Sequence, residues 1–140
     1  DYRQAAAKSP DKPELQYNHG AAAYKAGGFD QAAESFAKAM KTDDLTLQQD
    51  NYYNLGNTQY RLGQKTEKAN AQETIKTWEQ SVQSYEAALQ LKADDADAQY
   101  NRDLVKRKLE ELKKQEQQKQ DQQKKEEQKR IKKISKFVKF

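Results

Sequence analysis

Few residues in this 140-residue chain could make or break bonds, and their spacing argues against it. His19 is the only histidine and there is no cysteine, so neither a thiolate nucleophile nor a histidine-based metal set can be assembled. His19 instead reads as a packed or capping side chain. The pairs Asp43-Asp44 and Asp94-Asp95 lack the spacing of a calcium loop and sit where an aspartate would cap a following helix. Gly27-Gly28 marks a turn and lacks the further glycines of a nucleotide-binding loop. No nucleophile elbow and no pair of catalytic carboxylates stands out. The expectation is a protein with no catalytic residue, no metal and no cofactor, which is not an enzyme.

Two other groups of side chains suit the holding of another molecule. Tyr-Asn recurs at Tyr17-Asn18, Tyr53-Asn54 and Tyr100-Asn101. Asparagine offers a donor and an acceptor to a peptide backbone, and tyrosine offers flat contact area with a hydroxyl at its tip. At the other end, residues 130–140 carry no acid. As a helix they place Ile131, Ile134, Phe137 and Val138 within roughly 120° of arc, with Lys132, Lys133, Lys136 and Lys139 opposite and Phe140 at the end. Such a segment fits a docking peptide or an interfacial membrane helix.

The elements that must position these residues are helices. Helix formers dominate, five Gly and two Pro interrupt them, and no run of alternating β-branched residues appears. Hydrophobic and charged residues each make up 34% of the chain, too little apolar matter for a thick core throughout, so an elongated helical array with a polar extension is expected. The net charge of +4 is unevenly spread. Residues 1–112 hold 15 Lys/Arg against 18 Asp/Glu, a net of −3, and residues 113–140 hold 11 against 4, a net of +7. The acidic body argues against nucleic acid as a partner. No apolar run approaches the ~18 residues of a membrane span.

The stretches YNHGAAAYKAGGF and YNLGNTQYRLGQ repeat one another. Each reads as a helix ending at a glycine, Gly27-Gly28 in the first and Gly63 in the second. Gly20 and Gly56 fall inside those helices, where close approach of a second helix would account for them. The partner stripes are Phe29, Ala32, Ala33, Phe36, Ala39, Met40 and then Ile75, Trp78, Val82, Tyr85, Leu89.

These residues resemble the tetratricopeptide repeat (TPR). Gly20, Tyr24, Ala32, Phe36 and Ala39 match one repeat over residues 13–46, with His19 at a usual leucine and Asp44 where proline is common. Tyr52, Leu55, Gly56, Tyr60, Tyr85, Ala88 and Leu89 match a second, over residues 49–95. The second is expanded by about 13 residues, 64–76, within which Asn70 and Glu73 have capping-box spacing. Helix is expected from about Ala71, longer than the family norm by roughly two turns, with the rest of the insert as a longer loop. Tyr2, Ala5 and Pro10 resemble the end of a preceding repeat, over residues 1–12, so the protein is expected to continue N-terminally. Tyr100, Leu104, Val105, Leu109 and Leu112 make the stripe of a capping helix over 96–112, with Asp103 where a further repeat would carry glycine. The implied fold is all-α, a TPR helix-turn-helix solenoid with a long C-terminal capping helix. Residues 113–130, without an apolar side chain, are expected to be either a fraying helical continuation or a disordered linker.

Carried onto this chain, the resemblance implies a concave groove lined by Tyr17, Asn18, Ala21, Tyr24, Lys25, Tyr53, Asn54, Asn57, Tyr60, Arg61, Tyr100, Asn101 and Leu104. Tyr24 and Tyr60 could equally pack between helices. Asn57 and Asn101 match asparagines of the family's carboxylate clamp, but its lysine places hold Tyr17 and Tyr53, so an extended or more apolar ligand is expected. More narrowly, YNLGNTQYRLGQ, SYEAALQLKADDADAQYN and RDLVKRKLEEL with the Gln/Lys-rich run after it resemble the TPR proteins of the bacterial Bat (aerotolerance) group. That implies a protein-binding scaffold on the periplasmic side of the envelope, beside membrane-anchored partners with von Willebrand factor A domains. Two ideas about the tail stay open: docking of 131–140 into the groove of another copy, and a membrane-surface tether.

Overall fold

The computed structural model describes residues 1–8 and 12–138. Among them lie six α-helices and no strand: α1 Tyr2–Lys8, α2 Pro13–Lys25, α3 Phe29–Lys38, α4 Leu45–Thr66, α5 Ala71–Leu91 and α6 Ala96–Phe137. The all-α expectation holds. Every helix packs on its neighbour in sequence, and α2 also meets α4, as α4 meets α6. The even-numbered helices therefore lie side by side, with α3 and α5 packed against them.

Local chemistry accounts for the boundaries. Pro13 opens α2, where its missing N–H costs nothing. The helix closes on Gly27 at φ +81°, with Gly27 N–H donating to Tyr24 O and Gly28 N–H to Ala23 O, a Schellman turn that needs the left-handed conformation. Asp44 and Asp95 cap α4 and α6, each carboxylate accepting two backbone N–H groups of the first turn. Asn70 caps α5 by accepting from Glu73 N–H, and α5 begins at Ala71 as the spacing predicts.

Three expectations are corrected. Helix α4 does not end at Gly63 but runs to Thr66, because Gly63 is a contact site: a Cβ there would collide with the Trp78 indole. The insert is not a longer loop. It lengthens α5 from Ala71 as expected, but the remainder extends α4 and leaves only residues 67–70 between the two helices. Helix α4 also starts at Leu45, so the boundary expected between 46 and 49 falls inside a helix whose cap is Asp44.

The core forms two clusters. Ala23, Ala32 and Phe36 hold α2 to α3, with Tyr17, Tyr24 and Leu55 packed against them. Trp78, Val82, Tyr85, Val105, Leu109 and Leu112 join α5 to α6, with Tyr53, Tyr60, Ile75 and Leu104 alongside. Gly20 and Gly56 are the expected close approaches: an added Cβ would stand 2.8 Å from the Phe36 ring and 2.7 Å from that of Tyr85. Tyr100 departs from the buried stripe of α6, since it is 65% exposed. Helix α6 continues without a break through residues 113–130 to Phe137, the helical option of the two left open. No helix among the described residues is long and apolar enough to cross a membrane.

Candidate functional site: the face shared by α2, α4 and α6

The recurring Tyr-Asn pairs turn out to be rungs between successive even-numbered helices. Asn54 Nδ2 on α4 donates to the Tyr17 hydroxyl on α2 at 3.1 Å. Asn101 Nδ2 on α6 donates to the Tyr53 hydroxyl on α4, again at 3.1 Å. Each asparagine thus reaches back to the tyrosine of the preceding pair, and Tyr100 is the open end. Burial, and then Asp50 nearby, pushes the Tyr17 phenol above its ordinary value, so it stays protonated. The tyrosine rings also serve the core: Tyr17 tilts against Phe36, Tyr53 against Tyr85, and Tyr60 stacks on Trp78 with centroids 5.5 Å apart.

Beside the Asn101–Tyr53 rung lies a cavity of about 360 Å³, lined in part by Tyr24, Asn57, Tyr60, Arg61, Asn101 and Leu104. Its hydrogen-bonding capacity follows from the bonds already made. Asn57 Oδ1 accepts from both the Tyr85 hydroxyl and Asn101 Nδ2, so the Asn57 NH₂ carries that side chain's remaining donors. Asn101 Nδ2 spends its two hydrogens on Tyr53 and Asn57, so its Oδ1 is left as an acceptor. A donor and an acceptor from adjacent helices, beside Tyr24, Tyr60 and Leu104, are the complement of one peptide unit and an apolar side chain.

Charge flanks this face in two rows. Lys25, Arg61 and Lys108 each stand eight residues after the tyrosine of a Tyr-Asn pair, and Glu14, Asp50 and Asp97 each stand three before it. Eleven residues on a helix return to within ~20° of the same direction after ~16 Å, so each even-numbered helix carries an acid and a base on one face. The three cations are exposed and belong to none of the described ion pairs. The acidic side is crowded: burial first, then Asp95 and Asp44, raises the Asp50 carboxyl above its ordinary value, against the pull of Lys92.

The predicted groove residues distribute as follows. Tyr24, Asn57, Tyr60, Arg61, Asn101 and Leu104 come together around the cavity. Tyr17, Asn54 and Tyr53 are half-buried and engaged in the rungs. Asn18 is half-buried, and Lys25 and Tyr100 are exposed. Gln64, on the cavity rim, was missed, as were Glu14, Asp50, Asp97 and Lys108. The signal for those charges was present in their constant offset from Tyr-Asn. His19 sits outside this face, with Nδ1 2.7 Å from Ser35 Oγ, a packed histidine as expected. Among the described residues no cluster of three metal-ligating side chains occurs. In the tail, Ile131, Ile134, Phe137 and Val138 are all exposed, and Phe140 lies outside the described residues.

Compared with family models and with curated proteins, the chain matches none.

Proposed function

We propose that this protein is a non-catalytic scaffold that binds a segment of another polypeptide across the face of α2, α4 and α6. The observation that carries this reading is the Asn57–Asn101 pair, whose mutual bonds leave one donor and one acceptor beside an aromatic cavity. The segment lies across the even-numbered helices, its backbone held at the asparagines and an apolar side chain between Tyr24 and Tyr60. Its acidic side chains meet the Lys25/Arg61/Lys108 row and its basic ones the Glu14/Asp50/Asp97 row. The hairpins α2–α3 and α4–α5, each pinned by glycine against an aromatic ring, support the reading of the fold as a TPR solenoid closed by α6. On the resemblance to the Bat group, we place the scaffold on the periplasmic side of a bacterial envelope, with a membrane-anchored von Willebrand factor A protein among its partners.

A photo-crosslinking residue at Gln64, on the cavity rim, should capture a defined polypeptide in cells. The same residue at exposed Gln80 on α5 should not. The paired change Asn57→Leu with Asn101→Leu should abolish the Gln64 adduct while the helical circular dichroism is kept. Equal adducts from both positions, or an adduct indifferent to the asparagines, would count against the reading.

A further inference from the structure

The far end of α6 has chemistry of its own. Leu112 is the last buried residue of this helix, and from there to Arg130 no side chain is apolar. At ~1.5 Å per residue the helix carries Phe137 ~37 Å beyond Leu112. Surface pairs line this arm, from Glu116–Lys119 at 3.4 Å to Glu127–Arg130 at 2.7 Å. A continuous helix of this length cannot return its tip to its own groove.

The tip is amphipathic. Ile131, Ile134, Phe137 and Val138 are 55%, 55%, 88% and 43% exposed along one side. Lys132, Lys133 and Lys136 take the other side, and together with Lys129 they enter no described ion pair. No acid occurs from residue 128 to 138. We propose that this tip binds an anionic phospholipid surface. The helix lies along the membrane, with Ile131, Ile134 and Phe137 at the acyl boundary and the lysines at the headgroups, so that the arm attaches the array to the bilayer.

Charge and polarity favour lipid over the other occupants. The Glu14, Asp50 and Asp97 row of a second copy could pair with the lysines, but its cavity holds Arg61 and takes one apolar side chain, leaving the rest of the Ile131, Ile134 and Phe137 stripe in water. Nucleic acid would neutralise the lysines but leave the apolar stripe in water. An anionic headgroup layer over hydrocarbon satisfies both sides of one helix.

Co-sedimentation of the full chain with vesicles tests this. Vesicles of phosphatidylcholine mixed with phosphatidylserine should bind at least about tenfold more tightly than pure phosphatidylcholine, and added salt should erase the difference. Each of Lys132→Gln, Lys133→Gln and Lys136→Gln should weaken binding about fivefold. The triple change Ile131→Ser, Ile134→Ser, Phe137→Ser keeps the charge and touches no packed residue, yet should remove binding. Three outcomes would overturn the proposal: no binding to the mixed vesicles, binding that survives the serine substitutions, or a lipid-free dimer in light scattering that the same substitutions dissolve.

Discussion

At the residue scale, this molecule uses polar side chains where a larger domain would use apolar bulk. Trp78 Nε1 donates to Tyr60 O at 3.0 Å, Thr74 Oγ1 to Gly63 O at 3.0 Å and Ser81 Oγ to Gly56 O at 2.7 Å, so α5 is bonded to the carbonyls of α4 through three successive turns. Gly63 makes this possible by admitting the indole. Gly63→Ala is therefore expected to lower stability by about 1–3 kcal/mol in urea unfolding, because a displaced Trp78 outweighs the ~1 kcal/mol that alanine gains as a helix former. A gain in stability would show that the indole has room to move. Asp50 makes a second case. Its carboxyl titrates above the ordinary value in the fold, so the folded protein disfavours the charged form. That penalty is absent below pH 3.8, its ordinary value, and is fully present once pH exceeds the raised value. Asp50→Asn should raise Tm at neutral pH, and the difference from the parent should vanish in acid. A Tm difference that does not change with pH would place the effect elsewhere.

At the scale of elements, the caps do more than end helices. Asp44 and Asp95 each satisfy two first-turn N–H groups, but Asp95 also accepts from Gln49 Nε2, tying the start of α6 to α4. Asp44→Ala should cost about 1 kcal/mol in urea unfolding, the usual loss for a helix cap. Asp95→Ala should cost more, since Gln49, which is buried, loses its acceptor as well. Equal losses would mean that the Gln49 bond contributes nothing net. The long α4–α5 hairpin follows the same economy. Extending both helices brings Thr66 and Thr74 to 2.6 Å of each other and sets Lys65 over the Phe29 ring at 5.2 Å, so the added turns gain packing that a loop would not have.

At the scale of the whole molecule, stability is divided along α6. Up to Leu112 the helix contributes Ala98, Val105, Leu109 and Leu112 to the interior, and beyond it only backbone bonds and surface pairs remain. Amide hydrogen exchange should therefore fall into two regimes within one helix. Protection should be near the global value around Val105 and orders of magnitude weaker past residue 113, where each surface pair gives only ~0.2–0.5 kcal/mol. Uniform protection along α6 would reveal a partner on the arm.

Composition and periodicity alone determined the all-α class, the start of α5, the aspartate caps and the close approaches at Gly20 and Gly56. Each is set by interactions within a few residues or by a repeat that displays itself. Only the tertiary structure decided the rest. A glycine that ends a helix and one that admits a tryptophan look alike in sequence, and Gly63 needed its partner Trp78, 15 residues away on another helix, to be told apart. The Tyr-Asn pairs looked like free groove ligands because a side chain's spare donors and acceptors depend on what it already bonds. Asn54 gives one amide hydrogen to Tyr17 and Asn101 gives both of its own to Tyr53 and Asn57, so at the cavity the amide capacity left for a ligand is the Asn57 NH₂ and the Asn101 Oδ1.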